Sequence, residues 1–142
     1  EDLWQARNIL ALETLGFELD FGINFEFIKT FHELNIGFTF IDDSDPKAIS
    51  NFSKYSINSF KNNYIFLITS KLSKRISSTI NFKNSERSNY VSYNVLDIGV
   101  KWQNPKWTFS ILANNILNEE YYETNLIPMP KANVNLSANY IF

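Results

Sequence analysis

Apolar residues in this chain recur at every second position, over stretches longer than most soluble strands. Phe17, Leu19, Phe21, Ile23, Phe25 and Phe27 share one parity; Glu18, Asp20, Gly22, Asn24 and Glu26 share the other. Successive side chains of an extended strand point to opposite faces, so a period of two writes one apolar face and one polar face. The pattern returns in Leu34, Ile36, Phe38 and Phe40, and again in Tyr64, Phe66, Ile68 and Leu72, where Ile65 and Leu67 blur the polar side. It continues in Ile76, Ile80 and Phe82, in Leu96, Ile98, Val100 and Trp102, in Trp107, Phe109, Ile111 and Ala113, and in Val134, Leu136, Ala138, Tyr140 and Phe142. These segments predict an all-β chain of about seven strands and no helix.

The connections alternate too. Short turns fall near Lys29–His32, Ser73–Arg75 and Asn104–Lys106, the last suited by Pro105. Long polar loops fall at residues 42–59, 84–92 and 115–131. Short turns at one end and long loops at the other are the plan of a transmembrane β-barrel, with periplasmic turns and extracellular loops. A tilted strand needs roughly 9–11 residues to cross a bilayer, against about 5–6 in a soluble domain. The 13 Phe, 7 Tyr and 3 Trp also sit where lipid would put them. Trp102 and Trp107 flank Pro105, Phe27 and Phe31 flank Lys29, and Tyr140 and Phe142 close the chain. Rings at the ends of an apolar band form an interfacial girdle. Asn and Ser fill the opposite parity as a wet interior, which leaves the mean hydropathy slightly negative at −0.21.

Several function classes drop out. Thirteen basic against 15 acidic residues give a net charge of −2, without the basic bias of a nucleic-acid binder. With no cysteine there is no disulfide scaffold, Cys-ligated zinc or thiol nucleophile. The longest apolar run, Tyr64 to Ile68, falls far short of the roughly 20 residues of a membrane helix. The single histidine, His32, reads as a solvated turn residue, and no catalytic constellation, phosphate loop, metal set or cofactor site is expected. Glu18, Asp20 and Glu26 form an acidic row, read either as a lining for a cationic ligand or basic plug residues, or as a hydrated interior. Gly22, Gly37 and Gly99 leave room on that face for a plug or a neighbouring side chain. Glu119, Glu120 and Glu123 lie in the last long loop, where Tyr121 and Tyr122 are expected to anchor the barrel rim.

The last third carries a more specific pattern. Tyr90, Asn94 and Leu96-Asp97-Ile98 precede Trp107-Thr108-Phe109-Ser110-Ile111. Asn114-Asn115-Ile116-Leu117-Asn118-Glu119-Glu120-Tyr121-Tyr122, Ile127-Pro128-Met129-Pro130 and a terminal Tyr140-Ile141-Phe142 follow. This resembles the C-terminal end of a TonB-dependent outer-membrane receptor, where an N-N-L-F-N-x-x-Y-like segment leads through P-M-P-G-R to a final strand ending in Phe. Leu15-Gly16-Phe17-Glu18-Leu19 is similar to the G-x-E-L opening of strands in the same barrels, and Ser53-Lys54-Tyr55 also fits. Lys131-Ala132 stand where Gly-Arg is common, and Ser137 where Gly is common.

The resemblance implies that residues 1–142 are the C-terminal portion of a 22-stranded barrel whose plug domain is absent from this chain. It implies an integral outer-membrane transport receptor rather than an enzyme, taking up a scarce ligand such as an iron-siderophore, haem or cobalamin. The implied partners are the lipid bilayer, the rest of the barrel and the plug, the TonB complex through the missing N-terminal part, and the outer-membrane assembly machinery. Ligand contacts would fall in loops 42–59, 84–92 and 115–131, and Leu136, Tyr140 and Phe142 resemble the assembly signal. Two alternatives stay open. A passive porin or small structural barrel would need an eighth strand from Glu1–Leu10, where no clear lipid-facing row is seen. A soluble β-sandwich binding module would need its Asn, Ser and Thr face to be the surface, an unusual composition with few Lys or Glu.

Overall fold

The computed structural model describes residues 14–42, 60–87, 91–124 and 127–142. Seven long strands form one antiparallel sheet: β1 (Leu15–Phe27), β2 (Thr30–Asp42), β3 (Phe60–Lys71), β4 (Ile76–Arg87), β5 (Tyr93–Gln103), β6 (Trp107–Asn114) and, after a small hairpin, β9 (Asn133–Tyr140). The hairpin pairs β7 (Tyr122–Thr124) with β8 (Ile127–Pro128) inside the last long connection. Each long strand pairs with its sequence neighbour, β6 with β9, and the edges of β1 and β9 are not paired with each other. The sheet is open.

The register keeps the two faces separate across every strand. Phe21 pairs with Ile36, Ile36 with Phe66, Phe66 with Phe82 and Phe82 with Leu96. Nearer the short turns, Val100 pairs with Ile111 and Ile111 with Leu136. A slip of one residue in any pair would turn that strand's apolar set onto the polar side. The result is a continuous apolar surface left uncovered: Phe21 and Ile111 are each 53% exposed and Leu136 is 74% exposed. A soluble domain buries such a face against a second layer. No second layer covers it among the described residues, and the buried hydrophobic residues, Tyr93, Val95 and Tyr121, lie on the opposite, polar side.

Three expectations need correction. The first turn is the two-residue loop Ile28-Lys29, closed by the Phe27–Thr30 pair, and not a turn reaching His32. Both loop residues have positive φ, 50° and 59°, the geometry of a tight hairpin that usually recruits Asn-Gly. Nothing in Ile-Lys signals it, and a β-branched residue there is a costly choice. His32 therefore lies within β2, on the apolar face. Its ring stacks on Phe25 at 5.1 Å and its Nδ1 is 2.7 Å from the hydroxyl of the buried Ser70. Phe31 takes the other parity: it faces the polar side under the Lys71 ammonium, 5.1 Å from its ring centre, and is not part of an aromatic girdle with Phe27. Finally, residues 84–87, expected in a loop, extend β4, with Asn84 and Ser85 paired to Asn94 and Tyr93.

Gly22 and Gly37 resolve one open choice. A Cβ on Gly22 would stand 3.1 Å from the Asn35 side-chain oxygen, and one on Gly37 would stand 3.2 Å from an Asp20 carboxylate oxygen. The space these glycines leave is taken by the side chain directly across the strand pair.

Candidate functional site

The last long connection does not stand away from the sheet. It folds over the polar face at the long-loop end, and Asn115 is the residue that turns it. Asn115 has a φ of 48°, in the left-handed region that Asn tolerates better than most residues. Its backbone N–H donates to Asp97 Oδ1 at 2.8 Å, and Ile116 N–H donates to the Leu96 carbonyl at 2.8 Å. The Asn115 side chain, 2% exposed, then spans the loop. Its amide donates to the carbonyls of Glu119 (2.8 Å) and Pro130 (3.1 Å), while its oxygen accepts from Glu119 N–H (3.0 Å). Asn118, also at positive φ, accepts from Ala132 N–H at 3.2 Å. Two asparagines thus tie the start of the connection to its end. Only a side chain carrying both donor and acceptor can do what Asn115 does here.

What the loop covers is the one hydrophobic core among the described residues. Tyr121 stacks on Tyr93 with ring centres 4.6 Å apart, beside buried Val95 and half-buried Met129. Met129 N–H donates to the Tyr121 carbonyl at 2.9 Å, which holds the two sides of the loop together. The Lys83 ammonium lies 5.5 Å from both tyrosine rings and pairs with Glu123. A cation over two aromatic faces and against a carboxylate is well satisfied even where half-buried. Burial holds the Tyr121 phenol above its ordinary range, with the Lys83 charge pulling the other way. The rim-anchor role expected for Tyr121 is therefore replaced by packing on the polar face. Tyr122 is half-buried beside it, its hydroxyl 3.4 Å from Glu120.

Next to this lid the polar face forms a depression of about 340 Å³ lined by Thr79, Asn81, Asp97, Leu112 and Asn114. Asn81 donates to Asp97 at 3.4 Å, so Asp97 serves both the loop and the depression. The acidic row of Glu18, Asp20 and Glu26 lies away from it, on the exposed polar face of β1. Among the described residues no group of three or more His, Cys, Asp or Glu is placed to hold a metal. The depression offers amide and hydroxyl hydrogen-bonding groups and one carboxylate to a bound molecule.

At the short-turn end the apolar face carries an aromatic chain. Trp102 meets Phe109 at 5.7 Å, Phe109 stacks on Trp107 at 5.4 Å, Trp107 meets Tyr140 at 4.8 Å, and Tyr140 meets Phe142 edge-on at 5.1 Å. Leu136, Tyr140 and Phe142 share the parity of this face and are exposed. Ser137, on the polar face, shares a 2.6 Å hydrogen bond with Ser110. Lys131 pairs with Glu120 at 3.2 Å.

Sequence reasoning left out Lys83, Tyr93 and Val95. Their signal was present: Tyr93 and Val95 are apolar residues on the polar parity of β5, and the covering loop accounts for them. Residues 43–59 with Ser53-Lys54-Tyr55, Glu1–Leu10 and Tyr90 lie outside the described residues. No family model, no curated protein and no solved structure matches this chain.

Proposed function

We propose that this chain is the C-terminal wall segment of a TonB-dependent outer-membrane receptor. The carrying observation is the uncovered apolar face running unbroken across seven paired strands, with aromatic rings chained along its short-turn end. In lipid such a face needs no second protein layer. Lipid also forbids the open edges of β1 and β9, since each unpaired backbone group there costs several kcal/mol. Bacterial single-chain barrels close with even strand numbers, eight at the least. Further strands must therefore flank both edges, and the receptor's 22-stranded barrel supplies them.

In this reading the apolar face meets the bilayer and the polar face lines the lumen against the plug. The last long loop folds inward from the extracellular rim, so that Glu123 and the Asp97 depression face the ligand path. The receptor takes up a scarce ligand such as an iron-siderophore, haem or cobalamin, energised through TonB by way of the plug. Leu136, Tyr140 and Phe142 present the assembly machinery with its recognition row.

The test has two arms. The coding sequence upstream of Glu1 is expected to hold a plug domain and further alternating strands; a signal peptide directly before Glu1 favours a small passive barrel instead. The full-length protein is expected in the outer-membrane fraction, released only by detergent. A monodisperse protein without detergent refutes the reading and leaves a soluble sandwich.

A further inference from the structure

Eight of the ten lysines and arginines among the described residues divide by position. Those with a carboxylate partner in a described ion pair lie at the long-loop end: Lys61 with Glu86 at 3.0 Å, Lys83 with Glu123, and Lys131 with Glu120 at 3.2 Å. At the short-turn end Lys71, Lys74, Arg75, Lys101 and Lys106 have no ion pair among the described residues. Four of them line an open depression of about 580 Å³, together with Ser77 and Gln103.

This cluster is built on rigid turns. Ser73 Oγ accepts from the backbone N–H groups of Arg75 (3.2 Å) and Ile76 (3.1 Å). Asn104 Oδ1 accepts from those of Lys106 (2.8 Å) and Trp107 (2.6 Å). Gln103 N–H donates to the Arg75 carbonyl at 2.9 Å and joins the two turns. Lys71 and Lys101 sit on the polar face on either side of Ser77, since Ser77 pairs with Lys101 and the next pair is Ser78 with Ser70. Two strand spacings set their backbones about 9–10 Å apart. The carboxylates of the same end, Glu26 and Glu33, lie on β1 and β2, and Phe31 stands between Glu26 and Lys71 in the register.

We infer that this basic mouth binds an acidic polypeptide segment, one carrying several Asp or Glu residues in an extended stretch. The cations are spread over two strands and two turns, too far apart for one small anion to meet. Carboxylates on alternate residues of an extended segment, about 6.6–6.8 Å apart, fit the reach of successive lysines. Lys71 and Lys101 point to the polar side, away from the surface that lipid would cover. In the barrel reading, on which only the location rests, this is the periplasmic mouth of the lumen, where an acidic stretch of a periplasmic protein would seat.

Fluorescein-labelled hexaglutamate is the probe, titrated by anisotropy into the full-length protein in a zwitterionic detergent. Binding is expected to weaken steeply with salt, because the Debye length falls from about 30 Å at 0.01 M to about 8 Å at 0.15 M. The Lys71→Gln/Lys101→Gln double variant is expected to bind about ten-fold more weakly. Lys61→Gln/Lys131→Gln, at the opposite end, is expected to bind like the parent. All four lysines are exposed, so circular dichroism should show an unchanged sheet. No binding at low salt, or equal binding by the Lys71/Lys101 variant, overturns the inference. So does displacement of the peptide by inorganic phosphate or by phosphatidylglycerol vesicles at equal charge concentration, which assigns the mouth to phosphate. A protein that needs no detergent would sink the barrel reading and leave this titration meaningful; one that inserts but ignores hexaglutamate would sink this inference alone.

Discussion

Replacing Asn115 with Ala should release the last loop from the sheet while leaving the sheet itself intact. The side chain makes three hydrogen bonds, to the Glu119 carbonyl, the Pro130 carbonyl and the Glu119 N–H, and it is 2% exposed. A net contribution of about 0.5–1.5 kcal/mol per bond gives roughly 1.5–4.5 kcal/mol for the set. The left-handed backbone at φ 48° adds a further penalty of about 1–2 kcal/mol for a residue with a Cβ and no local hydrogen bond. The loop's opening free energy should therefore fall by about 3–6 kcal/mol, or to zero if the loop is held by less. Hydrogen exchange reads this directly at Met129 N–H, which bonds to the Tyr121 carbonyl and is not itself a partner of Asn115. Its protection should drop by at least a hundred-fold, each 1.4 kcal/mol being a factor of ten. Amides of the β3–β4 ladder should keep theirs. Asn115→Gly separates the two contributions: it loses the same bonds but restores the backbone, and should be more protected than the Ala variant by about five- to thirty-fold. If Met129 protection in Asn115→Ala stays within three-fold of the parent, Asn115 does not hold the loop and the hydrogen-bond argument fails.

The remaining expectations follow from the same geometry. Ile111→Arg, on the apolar face, should destabilise the inserted protein by about 2–4 kcal/mol, whereas Ser110→Arg, one residue away on the polar face, should cost far less; urea titration in detergent or lipid compares them, and equal costs would remove the case for a lipid-facing surface. Deleting Phe142, the end of the aromatic chain from Trp102, should slow appearance of the folded form in outer membranes without shifting its unfolding midpoint by more than about 1 kcal/mol; pulse-chase assembly measures the rate. Because the folded Tyr121 phenol sits above its ordinary value, the folded state holds its proton longer than the unfolded chain does. Its contribution to loop docking is complete below about pH 10 and is lost as the pH climbs toward the folded value. Proteolysis of the loop should accelerate in that alkaline range for the parent and less so for Tyr121→Phe.

Much of this architecture was legible from the chain alone. The alternation of Phe17 to Phe27 or of Val134 to Phe142 is local, set by strand geometry, and it decides which residues share a face before any strand finds a partner. The parity of Leu34 and Ile36, carried back four residues, also assigns His32 to the apolar side and Phe31 to the polar side. What hid this was the turn: Ile28-Lys29 offers no glycine or asparagine to announce a two-residue loop, so its length is settled only when β1 and β2 pair. The Asn114–Tyr122 segment could be marked as distinctive, but not which way it folds. That depends on contacts between residues far apart in sequence: Asn115 with Asp97 and Pro130, Tyr121 with Tyr93, Lys83 with Glu123. The basic mouth is of the same kind, since Lys71 and Lys101 become neighbours only through the strand between them. Periodicity is a property of one strand and can be read along it; a loop docked on a sheet and charges gathered at one end belong to several strands at once, and only their pairing brings them into being.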